Sequence, residues 1–405
     1  MKKFIKICTV VLLIFSVGVL SAVCYYDKIL PDNISIYKDE SVHFNTIIPI
    51  SQNSSKDAKV SSQLNAKTNN QKQLSLMGII PIKNVNISKF EQSYVVLSGE
   101  NFGIKIFTKG VMVVGLSDVN TNSGSQNPAK KAGLKIGDIV LKANGVDITS
   151  NSQFTNVISN SKSISLVVSR KNMIINTTLV PVLSTDGSYK AGLWVRDSTA
   201  GIGTMTFYSP VDGSFAGLGH AIVDVDTGVC LPVNSGEIVG TNILSIKKGQ
   251  KGCAGEICGA FTDRTLGVLY ENCEKGLYGA LNNYNADAKV IKIASSQSVC
   301  EGKAKIYTSI DNSGPKYYDC EIENIYYNDS EHKNLLIKIT DEDLIEKTGG
   351  IVQGMSGSPI VQNGQLVGAL TNVFLNDPQK GYGIFAETML ETSQKTTNQK
   401  LKKAS

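Results

Sequence analysis

The chain opens with an unbroken apolar run from Ile7 to Tyr26 and then changes character. A run of that length covers a hydrocarbon core as a single helix. Downstream, apolar residues come in short alternating stretches broken by Gly, Asn and Pro, a pattern that predicts strands. Ile34 to Ile50 reads as one or two short strands. Ser51 to Leu74 is dominated by Ser, Asn, Gln and Lys and reads as a linker. Strand sequence resumes at Leu76–Ile82, so residues 28–95 are expected to hold a linker and a small β module after an anchor at 1–27.

From about Val96 to Val182 the pattern becomes specific. Asn127-Pro128-Ala129-Lys130-Lys131-Ala132-Gly133-Leu134 suits a short helix closed by glycine. Gly137-Asp138 suits a tight turn, and Ile139–Lys142 a strand running into an Asn144-Gly145 turn. This segment resembles a PDZ domain over residues 96–182. Such domains bind a peptide as an added strand and hold its carboxylate on the N–H groups of a glycine-containing loop. The resemblance places that loop at Asn101-Phe102-Gly103-Ile104, making Phe102, Gly103 and Ile104 the expected peptide-binding residues.

Beyond residue 183 the alternation predicts further β structure up to 392, followed by a polar, dispensable tail at 393–405. Within it, Gly354-Met355-Ser356-Gly357-Ser358-Pro359 lies between strand-forming stretches and resembles the nucleophile loop of chymotrypsin-like serine proteases. Gly354 lets the backbone turn so that its N–H and that of Ser356 address one carbonyl oxygen, an oxyanion hole. Gly357 is expected to leave room for substrate backbone. A serine needs a base, and the chain has three histidines. His43 lies in the membrane-proximal module and His332 in a polar loop, whereas His220 sits in the apolar, glycine-rich Phe215-Ala216-Gly217-Leu218-Gly219-His220. His220 before Ser356 follows the chymotrypsin order of base and nucleophile. For the aspartate that orients the imidazole, spacing leaves Asp224, Asp226, Asp263 and Asp341 open.

Composition sets limits on this reading. With 41% apolar and 19% charged residues the 405-residue chain is ordinary core-forming sequence. The net charge of +5 is spread along it, which gives no reason to expect nucleic acid. Lys2, Lys3 and Lys6 precede the apolar run and belong on the cytoplasmic side, sending the remainder outward. No Ala-x-Ala pattern closes the run, so an uncleaved anchor is expected. Six of the eight cysteines fall between Cys230 and Cys320. In an exported domain they permit disulfides in more pairings than spacing can rank. Cys253 and Cys258 lack the second close pair of a zinc site, so neither metal nor cofactor is expected.

The succession of anchor, PDZ segment, Gly217-Leu218-Gly219-His220, Ile339-Thr340-Asp341 and Thr348-Gly349-Gly350-Ile351-Val352-Gln353-Gly354-Met355-Ser356, followed by Asn376-Asp377-Pro378 and Gly381-Tyr382-Gly383, resembles the stage IV sporulation protein B signalling peptidases of endospore-forming bacteria. The resemblance covers nearly the whole chain. It implies a mainly β fold: a PDZ domain, then a chymotrypsin-like double β-barrel, behind an N-terminal transmembrane helix. It also implies a charge relay of His220, Asp341 and Ser356. Expected with it are self-cleavage and cleavage of a membrane-bound regulator that restrains a late mother-cell sigma factor. The place of action would be the space between forespore and mother-cell membranes, with the PDZ domain recognising the chain's own N-terminal region or the target. The competing expectation is a catalytically inactive, protease-like scaffold acting through its PDZ domain.

Overall fold

The computed structural model describes residues 2–36, 50–53, 71–89, 92–171 and 173–404. Most of the linker expected at 51–74, and His43, lie outside these residues. Helix α1 (Lys2–Ile29) contains an exposed apolar stretch, Phe4–Ile29, long enough to cross a membrane. At its C-terminal end Lys83 donates to the carbonyls of Asp27 (2.9 Å) and Leu30 (2.6 Å). A cation there satisfies carbonyls that the helix itself leaves open and complements its dipole. Strands β1 (Asn33–Ile36), β2 (Ile50–Asn53), β3 (Gln71–Leu76) and β4 (Ile80–Lys89) form one sheet in the order β1-β4-β3-β2. Tyr26, Leu30, Ile34, Leu74, Leu76 and Val85 make its core. Residues 51–53 and 71–74, expected as linker, are therefore sheet.

Strand β5 (Tyr94–Leu97) leads into β6 (Asn101–Leu116), a 16-residue strand that serves two bodies. Its second half enters the PDZ domain, built from β7 (Val119–Thr121), β8 (Gly124–Gln126), α2 (Pro128–Lys131), β9 (Ile139–Ala143), β10 (Val146–Asp147), α3 (Asn151–Asn160), β11 (Ile164–Arg170) and β12 (Met173–Leu179). The local chemistry is what the sequence indicated. Asn127 caps α2 by accepting from Lys130 N–H at 2.9 Å, and the Asn144-Gly145 turn takes φ of 50° and 80°. Val113, Val140, Phe154, Ile164 and Leu166 are buried at its centre. After β13 (Val182–Leu183) and β14 (Tyr189–Lys190) comes β15 (Leu193–Tyr208), again 16 residues long.

Strand β15 returns alongside β6 for that strand's whole length, from Leu193 opposite Leu116 to Thr204 opposite Asn101. Adding β16 (Ser214–Gly217), β17 (Val233–Lys247), β18 (Gly255–Cys273) and β19 (Gly276–Leu281) closes a six-stranded barrel, β6-β15-β16-β19-β18-β17-β6. Phe102, Ile104, Phe215, Leu218 and Leu277 fill it. The PDZ domain is thus inserted between two strands of the first barrel, and the division expected at 96 and 183 does not separate them.

After β20 (Val290–Ile293), a second six-stranded barrel follows: β21 (Gly302–Thr308), β22 (Lys316–Ile325), β23 (Leu335–Ile339), β25 (Pro359–Gln362), β26 (Gln365–Phe374) and β27 (Asp377–Phe385). Helix α4 (Glu342–Thr348) and the short β24 (Val352–Gln353) lie between β23 and β25. The expected polar tail is instead part of helix α5 (Ala386–Ala404). Met389, Leu390, Ser393 and Thr396 are buried, a spacing that puts them on one face of the helix. All eight cysteines are free thiols, and Cys320 on β22 is held up to about 12 by burial.

Candidate active site

Between the barrels lies a cleft of about 900 Å³ lined by Leu218, His220, Gln353, Gly354, Ser356 and Thr371, among others. The first barrel supplies His220 and the second supplies Ser356, residues 136 positions apart whose meeting depends on how the barrels face each other.

The nucleophile loop is shaped from below by β15. Thr204 N–H donates to Ser356 carbonyl at 2.9 Å, Thr204 Oγ1 to Gly354 carbonyl at 2.7 Å, and Thr206 Oγ1 to Gly357 carbonyl at 2.7 Å. Both threonines are fully buried, so these bonds are made away from water, where an unmade bond is expensive. Met355 carbonyl accepts from Ser358 N–H at 2.9 Å and from its hydroxyl at 2.6 Å. In a trans peptide the N–H points opposite the C=O, so Ser356 N–H is turned away from Ser358. Among the described residues neither Gly354 N–H nor Ser356 N–H has a hydrogen-bond acceptor. Gly357 has a different role from the one expected. A Cβ there would sit 1.9 Å from Thr204 carbonyl oxygen, so the missing side chain makes room for β15, not for substrate.

His220 is delivered by an unusual stretch of backbone. Leu218 has φ of 62° and Gly219 φ of 71°. The left-handed region costs a residue with a Cβ roughly 1–2 kcal/mol, yet Leu218 is buried in the first barrel's core. Gly219 Cβ would meet Thr371 Cγ2 at 2.8 Å and Ile384 Cγ2 at 2.9 Å, so glycine is required there. The ring is half-buried, and its Nδ1 lies 2.8 Å from Ala221 carbonyl oxygen. A carbonyl only accepts, so Nδ1 carries the proton and Nε2 keeps its lone pair. Burial lowers the His220 pKa below the ordinary value, and the Ala221 carbonyl raises it by less. Ser356 Oγ donates to Thr371 carbonyl at 2.6 Å.

The aspartates considered from sequence are engaged elsewhere. Asp341 is the N-cap of α4: one oxygen accepts from Leu344 N–H at 3.0 Å and the other from Asp319 N–H at 3.1 Å. It does not line the cleft. Asp224 and Asp226 both bind Arg196 of β15, and Asp263 is exposed on β18. Among the described residues His220 has no carboxylate partner; Ala221 carbonyl is the group on its Nδ1. Sequence reasoning missed this carbonyl, because any residue supplies one. It also missed Thr371, a cleft residue whose buried Oγ1 has no hydrogen-bond partner among the described residues. Asn272 was missed as well: it clamps the loop after His220 by accepting from Ile222 N–H at 2.8 Å and donating to Ile222 and Leu231 carbonyls.

Phe102, Gly103 and Ile104 form no open loop. Their backbone lies in the first barrel with β15 on one side and, at Gly103 and Ile104, β17 on the other, and Phe102 and Ile104 are buried. Both edges are already paired, so a peptide strand has no place to add there.

Two closed six-stranded barrels with a serine on a glycine-rich turn at their cleft, and a PDZ domain set into the first, define a peptidase of the PDZ-bearing, double-barrel class. The model of the SpoIVB peptidase S55 family matches residues 187–390, half the chain, and that of the PDZ domain matches residues 103–179. The chain belongs to the SpoIVB peptidase S55 family, and it is a serine peptidase. No curated protein matches it. Among solved structures, the PDZ domain of the SdrC-like protein of Listeria monocytogenes is similar at 17% identity over 22% of this chain and 90% of that one, with a TM-score of 0.18. The HtrA-type protease AlgW, solved with a tripeptide and with a decapeptide, is similar at 14% and 13% identity over 48% and 50% of this chain, with TM-scores of 0.30 and 0.31. The similarity spans 55% of each AlgW chain.

Proposed function

We propose that the protein is an endopeptidase in which Ser356 is the nucleophile, His220 the general base, and the N–H groups of Gly354 and Ser356 the oxyanion donors. The observation that carries this reading is the 2.8 Å contact between His220 Nδ1 and Ala221 carbonyl oxygen, which assigns the ring's proton. With its proton on Nδ1 against Ala221 carbonyl, Nε2 is free to accept one in the cleft that Ser356 shares. Ser356 Oγ turns from Thr371 carbonyl, gives its proton to Nε2 and attacks the substrate carbonyl. The oxyanion rests on the two N–H groups while Ala221 carbonyl stabilises the imidazolium through Nδ1–H. The imidazolium then protonates the leaving amine, and water, activated by the same nitrogen, releases the acyl group from Ser356.

Family membership and the apolar helix α1 support a finer reading. The enzyme is anchored with its catalytic part outside the cytoplasm, between the forespore and mother-cell membranes. It cleaves itself and a membrane-bound regulator, releasing a late mother-cell sigma factor, with the PDZ domain selecting the chain's own N-terminal region or that regulator. One observation favours the alternative of an inactive scaffold: Ser356 Oγ is bonded to Thr371 carbonyl and His220 has no carboxylate among the described residues. The two readings separate on one experiment. The full chain and its Ser356→Ala variant are treated with a fluorophosphonate probe, and fragments are followed by mass spectrometry. Labelling and cleavage confined to the wild type are expected. A folded wild type that shows neither belongs to the scaffold reading.

A further inference from the structure

The end of helix α1 is fastened to the second barrel, far along the chain. Asn328, in the turn after β22, donates to Leu30 carbonyl at 2.7 Å and accepts from Asp32 N–H at 3.0 Å. Beside this clamp a cavity of about 730 Å³ opens between the last turn of α1, the segment Val299–Glu301 before β21 and the segment Asn324–Asp329 after β22. Its depth relative to a bilayer follows from the helix. Ile7 to Tyr26 rises about 30 Å, the thickness of a hydrocarbon core. The four residues from there to Leu30 add about 6 Å, the depth of one headgroup layer. With α1 as an anchor the cavity therefore stands among lipid headgroups. Two of its wall residues, Tyr25 and Tyr326, are 61% and 40% exposed, amphipathic rings of the kind that settle at a membrane interface.

Three charged residues line the cavity: Lys28 on the helix, and Glu301 and Asp329 on the barrel. Among the described residues none of the three is in an ion pair. Asp329 is held in place, its Oδ1 accepting from Glu331 and Lys333 N–H groups at 2.9 and 3.0 Å. Tyr327, stacked on Phe385, has its hydroxyl pushed up to about 12 by burial, with the charges of Cys300 and Glu301 adding to it, which places Glu301 beside that ring. One cation next to the membrane helix and two carboxylates on the barrel complement a phosphate that carries an ammonium on its outer side. An anionic headgroup with no amine would meet two like charges for one lysine. A primary ammonium offers three N–H donors to the carboxylates, whereas a trimethylated one offers none.

We propose that this cavity binds the phosphoethanolamine headgroup of a membrane phospholipid, with the phosphate at Lys28 and the ammonium at Glu301 and Asp329, and so holds the second barrel against the outer face of the membrane. The proposal rests on the reading of α1 as an anchor and is independent of the chemistry at Ser356.

The test uses the full chain as its Ser356→Ala variant, which cannot cut itself, in vesicles of equal parts phosphatidylglycerol and phosphatidylethanolamine. A carbodiimide turns a carboxylate into an acyl isourea, and a primary amine in contact with it displaces the urea to leave an amide, so mass spectrometry locates the carboxylate that touches the lipid amine. Asp27 is the internal reference: it is exposed at the same end of α1 and does not line the cavity. Lipid adducts on Glu301 or Asp329 should exceed those on Asp27, and should fall to the Asp27 level in Lys28→Gln, an exposed position where the change removes the seat of the phosphate. Equal adducts on Asp27 and on the cavity carboxylates mean bulk headgroups only and overturn the site. Cavity adducts undiminished in Lys28→Gln overturn the two-ended seating of the headgroup. Flotation of the same vesicles separates the two readings. A chain that floats with them and carries no cavity adduct overturns the site and keeps the anchor, whereas a folded chain that stays behind overturns both.

Discussion

Thr204 donates its N–H to the carbonyl of Ser356 at 2.9 Å, so a buried threonine of the first barrel sets the backbone of the serine in the second. Its hydroxyl does the same for Gly354. Thr204→Val keeps the shape and deletes the hydroxyl, leaving Gly354 carbonyl short of its strongest donor; Asn101 Nδ2, at 3.4 Å, is the weaker one that remains. A loss of about 1–3 kcal/mol in unfolding free energy is expected. Turnover should fall with little change in KM, because the loop that forms the oxyanion hole loosens. Denaturant melts and steady-state kinetics on one preparation check both, and a fall in KM alone would contradict it.

Asp341 allows a sharper separation. As an N-cap it is replaceable by Asn, which caps as well, while Ala should cost about 0.5–2 kcal/mol of stability. As the aspartate of a catalytic triad it is not replaceable by Asn, a change that lowers kcat about 10⁴-fold where such a residue sets the histidine tautomer. Because the Asp341 oxygens are engaged by Leu344 and Asp319 N–H groups, Asp341→Asn keeps the cap to Leu344 and loses the acceptor for Asp319; it is expected to cost some stability but to keep activity within an order of magnitude. Asp341→Ala should be less stable and, once folded, active. Kinetics of the two variants beside their melting temperatures decide the matter.

The contrast between Asp341 and the PDZ turns shows what can be read from the chain. The cap at Asn127 and the left-handed backbone of Gly133, Asn144 and Gly145 are set within a few residues of themselves, so there the sequence is nearly the structure. Asp341 was in principle as readable: acidic residues follow it and Gly349 closes the helix eight residues on, the pattern of a helix start and stop. Placing it in the charge relay by resemblance passed over that local meaning. The nesting of the PDZ domain was a different matter, since nothing near Asn101 announces that it will lie opposite Thr204. His220 and Ser356 stood out because their glycines are forced, by Thr371 and Ile384 at Gly219 and by Thr204 at Gly357. The carbonyl of Ala221 left no mark.

The pH profile follows from what surrounds His220. The base must be neutral to accept a proton, and desolvation holds its pKa below 6.5. Activity should therefore rise with pH through an apparent pKa under 6.5 and be level by neutral pH. A carboxylate on Nδ1 would act in the opposite direction, stabilising the cation and moving the acid limb upward. Measurement of kcat/KM against pH reports the free enzyme. An acid limb at 7 or above would mean that an anionic partner reaches His220 in the working enzyme.

Removal of residues 393–405 should be damaging, contrary to what their polarity suggests. Ser393 and Thr396 are buried, Thr396 Oγ1 donates to Glu271 of β18, and Lys400 lies over the Tyr270 ring at 5.1 Å. The cut leaves α5 as a seven-residue stub, too short to be helical on its own account. Met389 and Leu390, both in the core beneath it, would then loosen. Each apolar side chain of that size contributes about 1.5–3 kcal/mol when fully buried, and partial loss of two corresponds to several degrees of Tm at about 2–4 °C per kcal/mol. Replacing only the outward residues Gln394, Asn398 and Lys402 with alanine removes polarity but keeps the buried face, and should leave Tm nearly unchanged. Should the truncated protein melt with the wild type, α5 beyond Leu390 contributes nothing to the barrel, and the burial of Ser393 and Thr396 has no energetic consequence.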